Sequence, residues 1–232
     1  VNRRPIETIH EIELSSRCNL ACTYCPSPVL KRAKIDMAWA TYERSLGHVA
    51  HYCARGTQTE LALTGVGEAL LHERFADAVL AARAVIGTGR DLTFSTNGIL
   101  LTDKLIRAVT PADPIVFISL HRPEAAGPAV ERMKRSGLRF GVNGSFVTSA
   151  LDWVGEVKWH VSHERQTCAY LRDGWAVIRA DGTVGSCCWD AESVDGRLGS
   201  VWDELGSHTT AQHAACARCS LSVPEEMARM AA

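Results

Sequence analysis

The sequence predicts an α/β protein: an open partial barrel or doubly wound parallel sheet of six strand–helix units, followed by a smaller extension of different character. Three observations carry this. Strand-like and helix-like segments alternate over about 155 residues, the pattern of a parallel sheet with covering helices. The residues of special chemistry follow strands, where α/β folds place function. After residue 165 the alternation stops and a hairpin signal takes over. A full eight-unit barrel takes about 250 residues, so a chain of 232 residues with six units falls short of closure.

The first strand, 8–14, partly alternates apolar and polar residues; Ile12 and Leu14 share a face, and His10 falls where a third apolar residue is expected. A polar, cysteine-bearing loop follows. Residues 36–55 read as a helix with Asp36 as N-cap. Residues 60–63 form a short strand that enters the turn Thr64-Gly65-Val66-Gly67-Glu68. The Ala-rich segment 73–86 has apolar residues at helical spacing and is stopped by Gly87 and Gly89. A strand at 91–95 leads to Thr96-Asn97-Gly98, then a helix at 103–109. Residues 114–120 are a buried type of strand, 124–136 a helix and 138–143 the fifth strand. A poor helix at 150–154 precedes the sixth strand, 156–161. In the extension, strands at 175–179 and 183–186 flank Ala180-Asp181-Gly182, with the Asp-Gly turn signal; short helices are expected at 198–205 and 211–217.

Composition excludes several classes. Apolar residues make up 46% and charged residues 22%, which rules out a disordered or collagen-like chain. The net charge of −1 gives no strong pull toward nucleic acid or a membrane surface. No apolar run approaches the roughly 20 residues that span a bilayer, and residues 1–5 lack a secretory h-region. There are nine cysteines, an odd number, and eight are clustered: 18, 22 and 25, then 168, 187, 188, 216 and 219. Clustering points to metal or catalysis in a reducing compartment, hence a cytoplasmic location. Cys53, inside a helix, reads as a small core residue.

Cys18, Cys22 and Cys25 stand in a C-x3-C-x2-C spacing on the loop after the first strand. Three thiolates there suit a cuboidal iron–sulfur cluster with one iron left open to a substrate or cofactor. A zinc site completed by a histidine is the other reading. The segment resembles the signature of the radical S-adenosylmethionine (SAM) superfamily, with Tyr24 in the aromatic place before the last cysteine. Gly65-Val66-Gly67-Glu68 is similar to that family's Gly-Gly-Glu stretch, which holds the SAM amino group through backbone carbonyls; Val66 departs from the pattern. Ser95-Thr96-Asn97-Gly98 is similar to the Thr-Asn-Gly that ends a middle strand. Ser119-Leu120-His121 and Val142-Asn143 fall where family members contact ribose, substrate or adenine. The resemblance covers residues 8–161 and implies a partial (β/α)6 TIM-like barrel.

The later cysteines show Cys168-x13-Gly182-x4-Cys187, then Cys216-x2-Cys219. Four thiolates ligate a second cluster fully, or a tetrahedral zinc. This half resembles the auxiliary-cluster extensions called SPASM and twitch, in the shorter twitch form with one 4Fe–4S cluster. Residues 198–205 are similar to the segment between its two halves. Gly-x4-Cys selects Cys187 over Cys188, since adjacent residues rarely bind one metal. The expected domains are therefore 1–165, the partial barrel, and 166–232, the auxiliary-cluster extension.

The resemblance implies reductive cleavage of SAM to a 5′-deoxyadenosyl radical, hydrogen abstraction from substrate, and a net oxidation or rearrangement, with an aminocyclitol dehydrogenase the nearest type. His121, Arg122 and Glu68 are candidate proton acceptors by position. It implies an external electron donor of flavodoxin or ferredoxin type. Ribosomal-peptide maturation or epimerisation, and nucleoside or DNA-base modification, are alternatives within the family. Outside it stands a non-catalytic zinc or iron–sulfur binding protein.

Overall fold

The structure is a computed structural model that describes residues 3–22, 25–120, 122–143 and 166–214, together with Cys216, Cys219, Ser222 and Val223. The strands are β1 (Arg4–Pro5), β2 (Thr8–Ile12), β3 (Glu60–Leu63), β4 (Asp91–Thr96), β5 (Ile115–Ser119), β6 (Phe140–Asn143), β7 (Gln166–Thr167), β8 (Trp175–Ile178), β9 (Thr183–Gly185), β10 (Arg197–Ser200), β11 (Thr209–Thr210) and β12 (Ser222–Val223). The α-helices are α1 (Trp39–Arg55), α2 (Phe75–Ile86), α3 (Asp103–Val109), α4 (Pro123–Ser136) and α5 (Ala169–Asp173). An eight-stranded sheet runs β10-β9-β8-β2-β3-β4-β5-β6. Strands β2 to β6 are parallel, as the strand–helix alternation predicts, and β8 joins them in parallel on the far side of β2. Two short pairs, β1 with β11 and β7 with β12, lie outside this sheet.

The two faces of the sheet differ in chemistry. Leu61, Leu63, Leu92, Phe94, Val116, Ile118, Ala176 and Ile178 belong to one core with the inward residues of the helices. The intervening positions are Glu60, Ala62, Asp91, Thr93, Ser95, Ile115, Phe117, Ser119, Gly141, Asn143, Trp175, Val177 and Arg179. Registers place Ala62 beside Thr93, Ser95 beside Phe117 and Ser119 beside Asn143, so these residues share the other face. Parallel sheets covered on both faces read as continuous apolar runs. Here one face is covered by helices and the other, the interior of an incomplete barrel, mixes polar and apolar side chains.

Several expectations are corrected. His10 does not occupy the core face of β2. The register with β8 shifts between Ile9 and Glu11, so a bulge inserts one residue. Ile9 then takes the core position, 1% exposed, while the His10 ring stacks on Trp175 at 4.2 Å and pairs with Glu60 at 3.2 Å. Helix α1 begins at Trp39, with Ala38 rather than Asp36 as its N-cap. Asp36 is held in an isolated bridge to Ser15 and accepts the Ser15 hydroxyl at 2.7 Å. The helix expected at 198–205 is instead β10 followed by a turn, because β9 offers an antiparallel edge that pairs Ser200 with Thr183. The hairpin itself forms as expected between β8 and β9. Gly182 has φ +84, the left-handed geometry the Asp-Gly turn requires, and Asp181 accepts the Thr183 N–H at 2.9 Å. Of the helix expected at 211–217, residues 211–213 are not helical, while Ala214 and Cys216 are. The expected elements at 150–154 and 156–161 lie outside the described residues. No helix among the described residues is long and apolar enough to cross a membrane.

Buried charge links these strands. Glu13, fully buried, accepts Arg32 Nη2 at 2.7 Å, the Val66 N–H at 3.0 Å and the Ala180 N–H at 3.0 Å. Burial pushes its carboxyl up, but Arg179 and Arg32 more than offset this and hold it below the usual range. Glu11, fully buried with a single Arg179 contact at 3.2 Å, is lifted by burial to about 7 despite Arg179. Removing one member of a buried ion pair leaves an uncompensated charge. Glu13→Ala should therefore lower stability by about 3–5 kcal/mol in urea unfolding followed by circular dichroism; a loss below about 1 kcal/mol would show that water replaces the carboxylate.

Candidate active site

The loop that carries Cys18, Cys22 and Cys25 leaves the C-terminal end of β2 and is fastened on both sides. Ser16 N–H donates to Ile35 O at 2.9 Å and Met37 N–H to Leu14 O at 2.8 Å, closing the loop at its base. Asp36 accepts the Ser15 hydroxyl and forms an ion pair with Arg17, the residue before Cys18. The three thiols are free and partly buried. Cys25 N–H donates to Cys22 O at 3.2 Å, and Cys25 Sγ lies 4.0 Å from Val66 O. Burial, with the neighbouring Cys18 and Cys22 after it, pushes the Cys25 thiol up to about 11. Burial, Glu68 and Cys22 likewise raise Cys18. These mutual effects place the three thiols and Glu68 in one neighbourhood.

The turn after β3 is interlocked with that loop. Glu68 N–H donates to Arg17 O at 2.7 Å. A Cβ on Gly67 would collide with the carbonyl oxygens of Ser15 and Arg17, and one on Gly65 with the Glu13 side chain. Both glycines are needed for this approach, which Val66, facing away into a small apolar cluster with Leu30 and Ala191, is not. Glu68 is 3% exposed; its oxygens accept Asn97 N–H at 2.8 Å and Leu70 N–H at 3.2 Å. Its carboxylate therefore braces the site, and burial raises it. Asn97, at the end of β4, donates from its side chain to Asn19 Oδ1 at 2.7 Å, reaching into the cysteine loop. Ser119 and Asn143 face each other across β5 and β6 at the same strand ends. Arg122 is exposed at the start of α4. Tyr24 and His121 lie outside the described residues.

The later cysteines also converge. Cys168 precedes α5, and Cys187 follows β9. Burial and then Cys168 push the Cys187 thiol up to about 12. Cys216 is raised by burial, with Cys168 and Cys219 contributing, and Cys219 N–H donates to Cys216 O at 3.3 Å. Cys188, partly buried, is instead influenced by Tyr170 and Glu11, and burial raises its thiol. Among the described residues no three His, Cys, Asp or Glu side chains are gathered closely enough for a single metal ion. The soft thiolate donors of both groups suit the irons of a cluster.

Glu13, Arg32, Asp36, Asn19 and Arg179 are site residues that sequence reasoning misses. Their partners lie far along the chain, and no local pattern marks them; the Arg at 179, immediately after the apolar strand β8, is the one visible anomaly.

A family model described as the radical SAM superfamily matches residues 12–140. The chain is 33% identical over 99 residues to a tungsten-containing aldehyde ferredoxin oxidoreductase cofactor-modifying protein of Pyrococcus furiosus, covering 41% of this chain and 25% of that protein. It is 33% identical over 142 residues to a GTP 3′,8-cyclase of a Synechococcus species, covering 60% and 37%. The chain thus spans about a quarter to two fifths of the length of these curated relatives. Among solved structures, BtrN in complex with AdoMet and 2-DOIA superposes with a TM-score of 0.68 at 19% identity, covering 88% of this chain and 81% of that one. Streptococcus suis SuiB bound to precursor peptide SuiA gives 0.63 at 12% identity, covering 87% and 64%. At these identities the two structures establish the shared fold.

Gly67→Ala should force the two loops apart, costing about 1–3 kcal/mol and most of the iron at the first site. Anaerobic reconstitution with iron analysis and thermal unfolding measure both. Gly47→Ala, whose Cβ meets nothing within 4 Å, is the control and should leave iron unchanged.

Proposed function

The chain belongs to the radical SAM superfamily, and on that premise we propose that it is a radical SAM enzyme acting on a small polar substrate in a net oxidation or rearrangement. The family uses a 4Fe–4S cluster and SAM. Cys18, Cys22 and Cys25 would hold that cluster, with one iron open to SAM. When bound, it supplies the electron that breaks the SAM C–S bond, giving methionine and a 5′-deoxyadenosyl radical that abstracts hydrogen from the substrate. The observation that carries the reading is the interlock at the strand ends: Glu68 N–H on Arg17 O, and Asn97 on both Glu68 and Asn19.

The chain's own residues bind and orient. Gly65 and Gly67 bring backbone carbonyls to the cysteine loop, where the SAM amino group is held in related enzymes. Ser119 and Asn143 offer polar groups on the SAM-facing side of β5 and β6. Holding two reacting carbons in register is the main protein contribution in such chemistry. Cys168, Cys187, Cys216 and Cys219 would carry a second 4Fe–4S cluster, a store for the second electron of an oxidation. Glu68 is a poor proton acceptor, because both its oxygens are engaged; His121 is retained for that role. The division into 1–165 and 166–232, a ferredoxin- or flavodoxin-type donor and a cytoplasmic location belong to the same proposal.

A small polar substrate is favoured by the polar side chains Thr93, Ser95, Ser119 and Asn143 on the barrel face, and by the likeness to BtrN, whose complex contains 2-DOIA. A nucleoside is the second reading, favoured by the match to a GTP 3′,8-cyclase. Anaerobic reconstitution should give brown protein with roughly eight irons per chain, two clusters of four. Reductant and SAM should release 5′-deoxyadenosine, and Cys22→Ala should abolish the release. Colourless protein with stoichiometric zinc would overturn the enzyme reading. Deuterium passing from a labelled aminocyclitol or nucleoside into 5′-deoxyadenosine identifies the substrate class.

A further inference from the structure

The guanidinium of Arg179 is enclosed: the residue is 0% exposed, on the barrel face of the sheet immediately after β8. It has no access to substrate, and its polar contacts all lead to one loop and one strand. Nη2 donates to the carbonyls of Cys187 at 3.0 Å, Cys188 at 3.1 Å and Asp190 at 2.9 Å. Nε donates to Ser193 Oγ at 2.9 Å, and Nη1 to Glu11 Oε1 at 3.2 Å. The loop from 187 to 193 is therefore wrapped around a planar fork of donors. Ser193, at φ +48, donates its N–H to Asp190 O at 2.9 Å, which closes the wrap. Asp190 ties the loop outward by accepting Gly196 N–H at 2.8 Å.

Arginine alone among side chains presents five N–H donors in a rigid plane, whereas lysine offers a compact point charge. Nη2 shares its two hydrogens among three carbonyls, while Nε and Nη1 reach Ser193 and Glu11, so the contacts together span the fork. With both the Cys187 and Cys188 carbonyls drawn onto Arg179, the thiol of Cys188 lies against Tyr170 and that of Cys187 among Cys168 and its neighbours.

We propose that Arg179 is the positioning residue of the second metal site, gathering the carbonyls of Cys187, Cys188 and Asp190 so that the Cys187 thiolate meets Cys168, Cys216 and Cys219. This rests on the reading that those four cysteines hold a cluster. It gives the buried Glu11–Arg179 pair a purpose beyond packing. Glu11 fixes the guanidinium from β2, the strand whose end carries the first cysteine loop.

The test uses Arg179→Lys and the double substitution Glu11→Gln with Arg179→Met. The first keeps the charge and removes the fork. The second removes both charges together, so that no unpaired carboxylate is left buried. After anaerobic reconstitution the wild-type chain should hold about eight irons, and each variant about four. The remaining iron should be the SAM-responsive cluster, identified by a change in its electron paramagnetic resonance spectrum when SAM is added. Circular dichroism and the melting temperature report whether the fold persists. Variants that keep about eight irons and wild-type midpoint potentials overturn the proposal. Loss of both clusters in parallel with a fall in melting temperature also overturns it, since that is a role in stability alone. A wild-type chain with only about four irons removes the second-cluster reading itself and this proposal with it, so the two failures are distinct.

Discussion

Glu13 sits where three parts of the molecule have to meet, and its carboxylate satisfies each of them. One oxygen takes Arg32 and the N–H of Val66; the other takes the N–H of Ala180. Val66 lies in the turn that approaches the cysteine loop, Arg32 at the end of that loop, and Ala180 in the hairpin turn between Cys168 and Cys187. A charge buried this completely costs several kcal/mol unless paired and hydrogen-bonded. The requirement runs in both directions: the two backbone donors and Arg32 lose their partner if the carboxylate is withdrawn. The strand ends are thereby fixed relative to one another before any ligand is considered.

The sheet explains why such a device is needed. Its outer face is held by dispersion and apolar burial against α1 to α4, in one continuous core. Its inner face lies outside that core and carries the buried charges. A barrel that stops short of closure has no ring of strands to hold its interior in shape. Directional contacts hold it instead. Glu11 pairs with Arg179, Glu13 with Arg32, and His10 with Glu60 and Trp175. Each links neighbouring strands or a strand with its loop, and all lie on the face that also presents Ser119 and Asn143.

What the sequence discloses follows the range of the interactions concerned. Periodicity and turn chemistry are local, so the parallel order of β2 to β6, the Asp-Gly hairpin and helix α3 over Asp103–Val109 are legible. Spacing is local too, and it groups Cys18 with Cys22 and Cys25. The departures arise where a distant partner overrides a local preference. Asp36 has the chemistry of an N-cap, but Ser15 and Arg17 recruit its carboxylate. The segment after Arg197 has helix-compatible residues, but the open edge of β9 captures it as a strand. His10 keeps the alternation of β2 only in the absence of a bulge, and the bulge is set by pairing with β8, more than 160 residues away. Arg179 lies beyond reach for the same reason, since its role exists only once Glu11 and the loop at 187–193 are in place.

The two cysteine-bearing loops are also joined directly. Glu192 accepts the N–H groups of Lys31 and Arg32 at 2.6 and 3.0 Å, and Arg32 Nε donates to Ala191 O at 2.7 Å. Arg32 thus has one nitrogen on the second loop and another on Glu13, which holds the turn beside the first. Ala191, Leu30 and Val66 close a small apolar contact over the same junction. A shift of either loop must therefore displace Arg32 or break a bond to it. Two loops would drift in separation if each were held only by its own strand. A shared arginine, anchored on a buried carboxylate, turns their spacing into a property of the fold.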